Sequence, residues 1–187
     1  GEALSAHLVA DACGHLYLCE SSESTRQRLA ARKGRADIDV ISPHQFEQLP
    51  PGSVDVIVAN SVIQYLSVSE LTHLLAVARD KLSREGRLVL ADVIPRHIGM
   101  VRDVAELLKF AAANGFLLAA GAGLVRSYFS NYRQVRQQLG LLQFDEAEIL
   151  GLLGQSGFVA HRRKPNIGHN AHRMTFVASV RDPKPVT

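Results

Sequence analysis

The sequence predicts a mostly parallel α/β sheet with helices on both faces, finished by an antiparallel hairpin strand. Three observations carry that reading. Between Leu49 and Pro95 the chain runs through a Pro-Gly turn, an apolar strand, an amphipathic helix, a Gly turn and a second apolar strand. Apart from Asp55, the two strands (54–59 and 88–91) are apolar throughout, as strands buried on both faces are. The last two strand patterns, 158–162 and 174–180, lie too close for a crossover helix, so they must pair antiparallel.

Each element follows from local pattern. Residues 2–12 place Ala3, Leu4, Leu8 and Val9 at helical spacing, and Gly14 ends that helix. Residues 16–19 form a short strand that stops at Glu20. Ser22 is positioned to cap a helix whose body, 25–33, turns Leu29 and Ala30 inward before Gly34. Residues 38–41 are the next strand, and 42–53 are a loop leading to the strand at 54–59. That strand ends in the polar pair Asn60-Ser61. The following helix puts Leu71, Leu74, Leu75, Val77, Ala78 and Leu82 on one stripe, and Gly86 stops it. Beyond Pro95 the alternation gives way to a long helical segment, 96–142, interrupted by glycines at 115, 121, 123 and 140. Asp145 caps a helix through Leu153, and a polar loop containing His169, Asn170 and His172 joins the final two strands. Ligands of parallel sheets bind beyond the carboxyl ends of the strands, which places the site at Asn60, Ser61 and Asp92.

Composition narrows the function classes. With 187 residues, 47% of them hydrophobic, one core suffices, and a single domain over 1–187 is expected. The net charge of +3 is too weak to argue for nucleic acid. No run reaches the roughly 18 apolar residues of a membrane span. The start shows no basic region followed by an apolar one, so no secretion signal is read. Cys13 and Cys19 lack metal-ligand spacing and read as buried small residues of a cytoplasmic protein. No metal site is expected.

The element order, with an acid after the first of these strands and an insert before the last helix, resembles the class I S-adenosylmethionine-dependent methyltransferases. The resemblance spans essentially the whole chain and is strongest to their small-molecule group. It rests on Glu20, the Leu49-Pro50 turn, the hydrophobic-Asp-hydrophobic run Val54-Asp55-Val56, and Gly86-Arg87-Leu88 leading into a strand. It implies a Rossmann-like sheet with a helical lid at 96–142 after the family's fifth strand, and S-adenosyl-L-methionine as cofactor. The family's first strand and Gly-rich turn precede its first helix. Here Gly1 stands in place of the middle glycine and Ala3 in place of the third, so residues upstream of Gly1 are expected.

The resemblance also implies roles. Glu20 would accept the ribose hydroxyls, with Ser21 and Ser22 lining the ribose, although Ser22 also suits a helix cap. Gln45-Phe46 occupies the adenine position, Gln45 through its side-chain oxygen and Phe46 through its backbone N–H. Asn60 and Ser61 would meet the methionine part, and Val62 and Tyr65 would wall the sulfonium. The base candidates are His97, His169 and His172. Tyr128, Tyr132 and the basic residues of the lid, Arg96 among them, would hold a small-molecule acceptor, anionic if that charge is used; solvated helix faces are the competing reading. A catalytically inactive partner subunit stays open as an alternative. An RNA methyltransferase is disfavoured by Asn60-Ser61-Val62-Ile63, which lacks an Asn/Asp-Pro-Pro-aromatic signature. No membrane partner is expected, and a homodimer stays open.

Overall fold

A computed structural model describes residues 3, 6–96, 142–168 and 170–181. The chain divides into two compact units, Gly1–Pro50 and Pro51–Thr187.

The N-terminal unit is a βαβ unit flanked by short helices. It contains α1 (Ala6–Ala10), β1 (Leu16–Cys19), α2 (Glu23–Arg32), β2 (Ile38–Ile41) and α3 (Pro43–Glu47). The strands pair in parallel from Leu16↔Ile38 to Cys19↔Ile41. Ala10, Leu29, Ile38 and Ile41 are its buried apolar residues. The helix expected over 2–12 is shorter among the described residues, because Ala12 N–H bonds back to Val9 O and closes a tight turn. Residues 42–53 are not simply a loop. Ser42 and Gln45 form a reciprocal capping box with Pro43 inside the first turn, and these nucleate α3. Cys13 and Cys19 are exposed, not buried. Alternation along β1 turns Tyr17 and Cys19 outward.

The C-terminal unit contains β3 (Val54–Asn60), a 3-10 turn (Ile63–Tyr65), α4 (Val68–Lys81), β4 (Leu82–Val93), α5 (Glu146–Gln155), β5 (Phe158–Arg163) and β6 (Met174–Val180). Its sheet order is β3-β4-β6-β5. The β3–β4 pair is parallel, and β6 lies antiparallel to both β4 and β5. The closing antiparallel strand is therefore present, with β6 inserted between β4 and β5. Leu71, Leu75 and Ala78 of α4 and Ile149 and Leu153 of α5 share one core cluster with Leu88, Leu90, Phe158, Phe176 and Ala178. On β3 the alternate residues Val56 and Val58 are exposed, so among the described residues these two helices serve one face of this sheet. Ser67 and Glu70 cap α4 reciprocally.

Gly86 does not stop α4. The helix ends at Lys81, Leu82 is already extended, and Gly86 lies in a bulge where the β3 register jumps from Leu82 to Arg87. A Cβ at Gly86 would come within 2.9 Å of both Leu82 Cδ2 and Ser83 O, so the bulge closes only around glycine. The chain leaves the sheet at Pro95 and returns beside it at Phe144, whose N–H bonds to Ile94 O at 3.0 Å. The intervening segment expected as a lid, 97–141, lies outside the described residues.

Candidate functional site

In the N-terminal unit the carboxyl end of β1 is built around Glu20. The chain turns there because Arg26, on α2, donates from Nη1 to Glu20 O at 2.8 Å and Ser21 O at 2.7 Å. Glu20 Oε1 accepts the Ser22 N–H at 2.9 Å and the Ser21 hydroxyl at 3.3 Å. The Ser22 N–H is the main influence holding the Glu20 carboxyl below its ordinary range; partial burial opposes it and Ser21 assists. A carboxylate kept ionised at a strand end suits a pair of vicinal hydroxyls.

Ser22 also accepts from Thr25 N–H as the cap of α2, so both serines support the acid. The Gln45 Oε1 assigned to adenine accepts the Ser42 N–H at 2.8 Å, and the Phe46 N–H bonds to Ser42 O at 3.0 Å. The capping box of α3 thus engages the Gln45 oxygen, and the Phe46 N–H closes the first helical turn. Gln45 Oε1 retains one lone pair. Ala3 has φ +46°, a left-handed conformation that glycine adopts more readily. Gly1 lies outside the described residues.

In the C-terminal unit the carboxyl ends of β3 and β4 converge on one buried acid. Asp92 is 3% exposed. Its Oδ2 accepts Ser61 Oγ at 2.5 Å and Arg173 Nη1 at 2.5 Å, and its Oδ1 accepts Asn166 Nδ2 at 3.1 Å. Burying a carboxylate is tolerable only with such a set of donors. The Asn166 side-chain amide is satisfied at both its oxygen and its nitrogen. Its Nδ2 also donates to Asn170 O at 2.9 Å, while its Oδ1 accepts Thr175 Oγ1 at 2.7 Å and Asp92 N–H at 3.3 Å. Gly168 lets the loop pass over this cluster, since a Cβ there would sit 2.8 Å from Asp92 Oδ1. Ser61 (φ +54°) and Asp92 (φ +62°) are both left-handed, and Ser61 N–H bonds to Ala91 O. Such backbone strain, about 1–3 kcal/mol per residue, persists only where surrounding contacts enforce it.

The Ser61 hydroxyl is therefore turned to Asp92. Asn60 is exposed, and its side-chain amide has no partner among the described residues. Val62 and Tyr65 are exposed beside it. Arg96, expected on an acceptor, pairs with Glu148 at the start of α5 at 2.5 Å and lies 3.8 Å from Asp145. The acids of that helix start attract it. His172 lies on the β5–β6 loop, its N–H bonded to Asn170 Oδ1 at 3.0 Å. His97, His169, Tyr128 and Tyr132 lie outside the described residues. Sequence reasoning missed Asn166, Thr175 and Gln64, and it read Arg173 only as one of the basic residues toward an anionic acceptor, whereas its guanidinium donates to Asp92. Gln64 is 4% exposed, and its Oε1 finds no donor among the described residues. No cluster of potential metal ligands occurs among the described residues, and no helix there is long and apolar enough to cross a membrane.

No known family profile and no curated protein matches this sequence. Solved structures do match. A crystal structure titled a putative type 11 methyltransferase from Sulfolobus solfataricus superposes with TM-score 0.59 at 13% identity, covering 100% of this chain and 83% of that one. LepI in complex with SAM gives 0.64 at 12% identity, covering 97% and 41%. The mitomycin 7-O-methyltransferase MmcR gives 0.61 at 18% identity, covering 97% and 46%. The chain has a methyltransferase-like α/β fold. It spans less than half the length of LepI and MmcR.

Proposed function

We propose that this chain is an S-adenosylmethionine-dependent methyltransferase acting on a small-molecule acceptor. The observation that carries the reading is Glu20, an acid held ionised by Ser22 at the end of β1, within a fold shared with methyltransferases. Structures of that fold include LepI with SAM, PigF with SAH and the O-methyltransferase MmcR. Each unit offers a group of suitable chemistry: in the N-terminal unit the Glu20 carboxylate for a ribose diol, and in the C-terminal unit the exposed Asn60 carbonyl for the ammonium of the methionine part. When bound, the cofactor supplies a methyl group already activated on a sulfonium. The protein's own task is then alignment and exclusion of water.

In this reading Glu20 fixes the ribose and Asn60 the amino-acid end. Val62 and Tyr65 cover the sulfonium. His172, on the β5–β6 loop, takes the acceptor's proton where the acceptor has one to lose. The basic residues expected on the lid favour an anionic acceptor.

Calorimetric titration of S-adenosylmethionine and S-adenosylhomocysteine tests the reading. The chain should bind both, and Glu20→Ala should weaken binding at least about tenfold, the loss of one charge-assisted contact. A folded chain that binds neither would overturn the proposal. Binding without methyl transfer to any acceptor would move the chain toward the other chemistry this fold carries, since one matched structure is titled a pericyclic reaction enzyme.

A further inference from the structure

We infer that Asp92 is a positioning residue that joins the cofactor side of the site to its acceptor side through one buried carboxylate. The inference rests on the methyltransferase reading above, because it concerns how Asn60 and His172 are held for those roles.

The connection can be followed bond by bond within the C-terminal unit. On one side, Asp92 Oδ2 takes the Ser61 hydroxyl, and Ser61 is further held by its N–H on Ala91 O. Ser61 is left-handed, a conformation most serines avoid, so these two bonds keep the turn from relaxing. The direction of that turn fixes the preceding residue, Asn60, at the end of β3. On the other side, Asp92 Oδ1 takes Asn166 Nδ2, the second Asn166 N–H goes to Asn170 O, and Asn170 Oδ1 takes the His172 N–H. Arg173 closes the loop by donating to the oxygen that Ser61 uses. One carboxylate thus sets two segments that lie far apart in sequence.

Two independent observations separate this from ordinary loop packing. Left-handed non-glycine residues occur on both sides of the Ser61–Asp92 hydrogen bond. The loop also has a glycine, Gly168, at a place where a Cβ would strike the Asp92 carboxylate. In a buried network each bond depends on the rest, so removing the charge loosens both branches together.

Asp92→Asn is the informative substitution. Asn tolerates the left-handed backbone and keeps the shape, but it replaces one acceptor oxygen with an NH2 that must face a donor (Ser61, Arg173 or Asn166), so the charge and one acceptor are lost together. Three variants of the full chain would be titrated with S-adenosylmethionine: Asp92→Asn, Ser61→Ala, and Leu153→Ala as a core control that destabilises the same unit elsewhere. Amide hydrogen exchange over residues 166–173 would be followed with and without cofactor.

Wild type should bind and gain protection in that loop, although the loop makes no assumed contact with the cofactor. Asp92→Asn should bind about tenfold more weakly and lose the added protection. Ser61→Ala, which leaves the Asn166 and Arg173 bonds in place, should weaken binding by a smaller factor, and it keeps the test open if Asp92→Asn does not fold. Leu153→Ala should melt earlier yet keep the wild-type affinity. Wild-type affinity in both Asp92→Asn and Ser61→Ala would overturn the inference, as would an equal loss in Leu153→Ala, which would reduce Asp92 to a stability role. A folded wild-type chain that binds nothing would instead remove the methyltransferase reading beneath it.

Discussion

Gly168 and Gly154 make a sharp test of how tightly the Asp92 cluster is closed, because the same substitution should have opposite signs at the two positions. A Cβ on Gly168 would lie 2.8 Å from Asp92 Oδ1 and 3.0 Å from Asn166 Nδ2. Carbon rarely approaches oxygen closer than about 3.3 Å, so one of these groups must move by roughly half an ångström. Neither moves freely, since they are hydrogen-bonded to each other at 3.1 Å and Asp92 also holds Ser61 and Arg173. Overpacking plus partial loss of a hydrogen bond to a charged group puts the cost of Gly168→Ala at about 2 kcal/mol. For a chain of this length that is a fall in melting temperature of roughly 4–8 °C. Gly154 lies inside α5 with nothing within 4 Å of a Cβ. Gly154→Ala removes the entropy penalty of a helical glycine and should stabilise by about 0.5–1 kcal/mol. Urea unfolding measures both, provided the slope is unchanged so that the midpoint reports stability alone. If Gly168→Ala stayed within about 0.5 kcal/mol of wild type, the cluster would be loose enough to accommodate a methyl group. The positional argument for Asp92 would then fail with it.

Four further outcomes follow from the geometry. The folded-state pKa of Glu20 is depressed below 4.5, so its bond to Ser22 stabilises the fold above the unfolded pKa and is lost as pH falls through the folded one. Cofactor affinity measured against pH should accordingly persist through the ordinary carboxylate range and collapse only below it, and a collapse starting well above 4.5 would contradict the ionised Glu20. Leu75→Ala, at a position 1% exposed between α4 and the sheet, should cost about 3 kcal/mol in urea unfolding; less than about 1 would mean the core collapses onto the gap. Gln64→Met removes a buried acceptor oxygen without a donor among the described residues and should stabilise by about 1 kcal/mol, whereas a loss would reveal a donor for it. Arg96→Ala should leave the unfolding midpoint almost unchanged, because its pair with Glu148 is exposed; a drop of several degrees (about 3 °C or more) would show that the pair anchors the return of the chain at Phe144.

The elements that were legible in the sequence are those whose information is local and periodic. The apolar run of β3, the stripe through Leu71, Leu75 and Ala78, and the hairpin of β5 and β6 each repeat a pattern over several residues, and the structure places all of them. Where the reading failed, the competing signal was shorter than one period. Five residues of α3 cannot show a helical stripe, although Ser42-Pro43 with Gln45 three positions after the cap was sufficient to announce it. At Gly86 the pattern pointed to a helix stop, because a C-cap glycine and a bulge glycine look alike until the strand partner is known.

The site divides along the same line. That Asn60, Ser61 and Asp92 lie at strand ends follows from the periodicity of the strands they terminate. What their side chains do does not follow, because it depends on partners brought by the chain's return: Asn166 lies 74 residues beyond Asp92, and Arg173 lies 81. No spacing rule links an acid to an amide across that interval; only the antiparallel insertion of β6 beside β4 brings them together. The same insertion gives the Ser61 hydroxyl a partner in Asp92 that the sequence does not announce. A serine at a strand end next to a buried carboxyl group gives its hydroxyl to that neighbour, because a buried acid left short of donors would cost more than a hydroxyl left to water. With Ser61 held on Asp92, the side-chain amide exposed at the carboxyl end of β3 is the one adjacent polar group without a partner among the described residues.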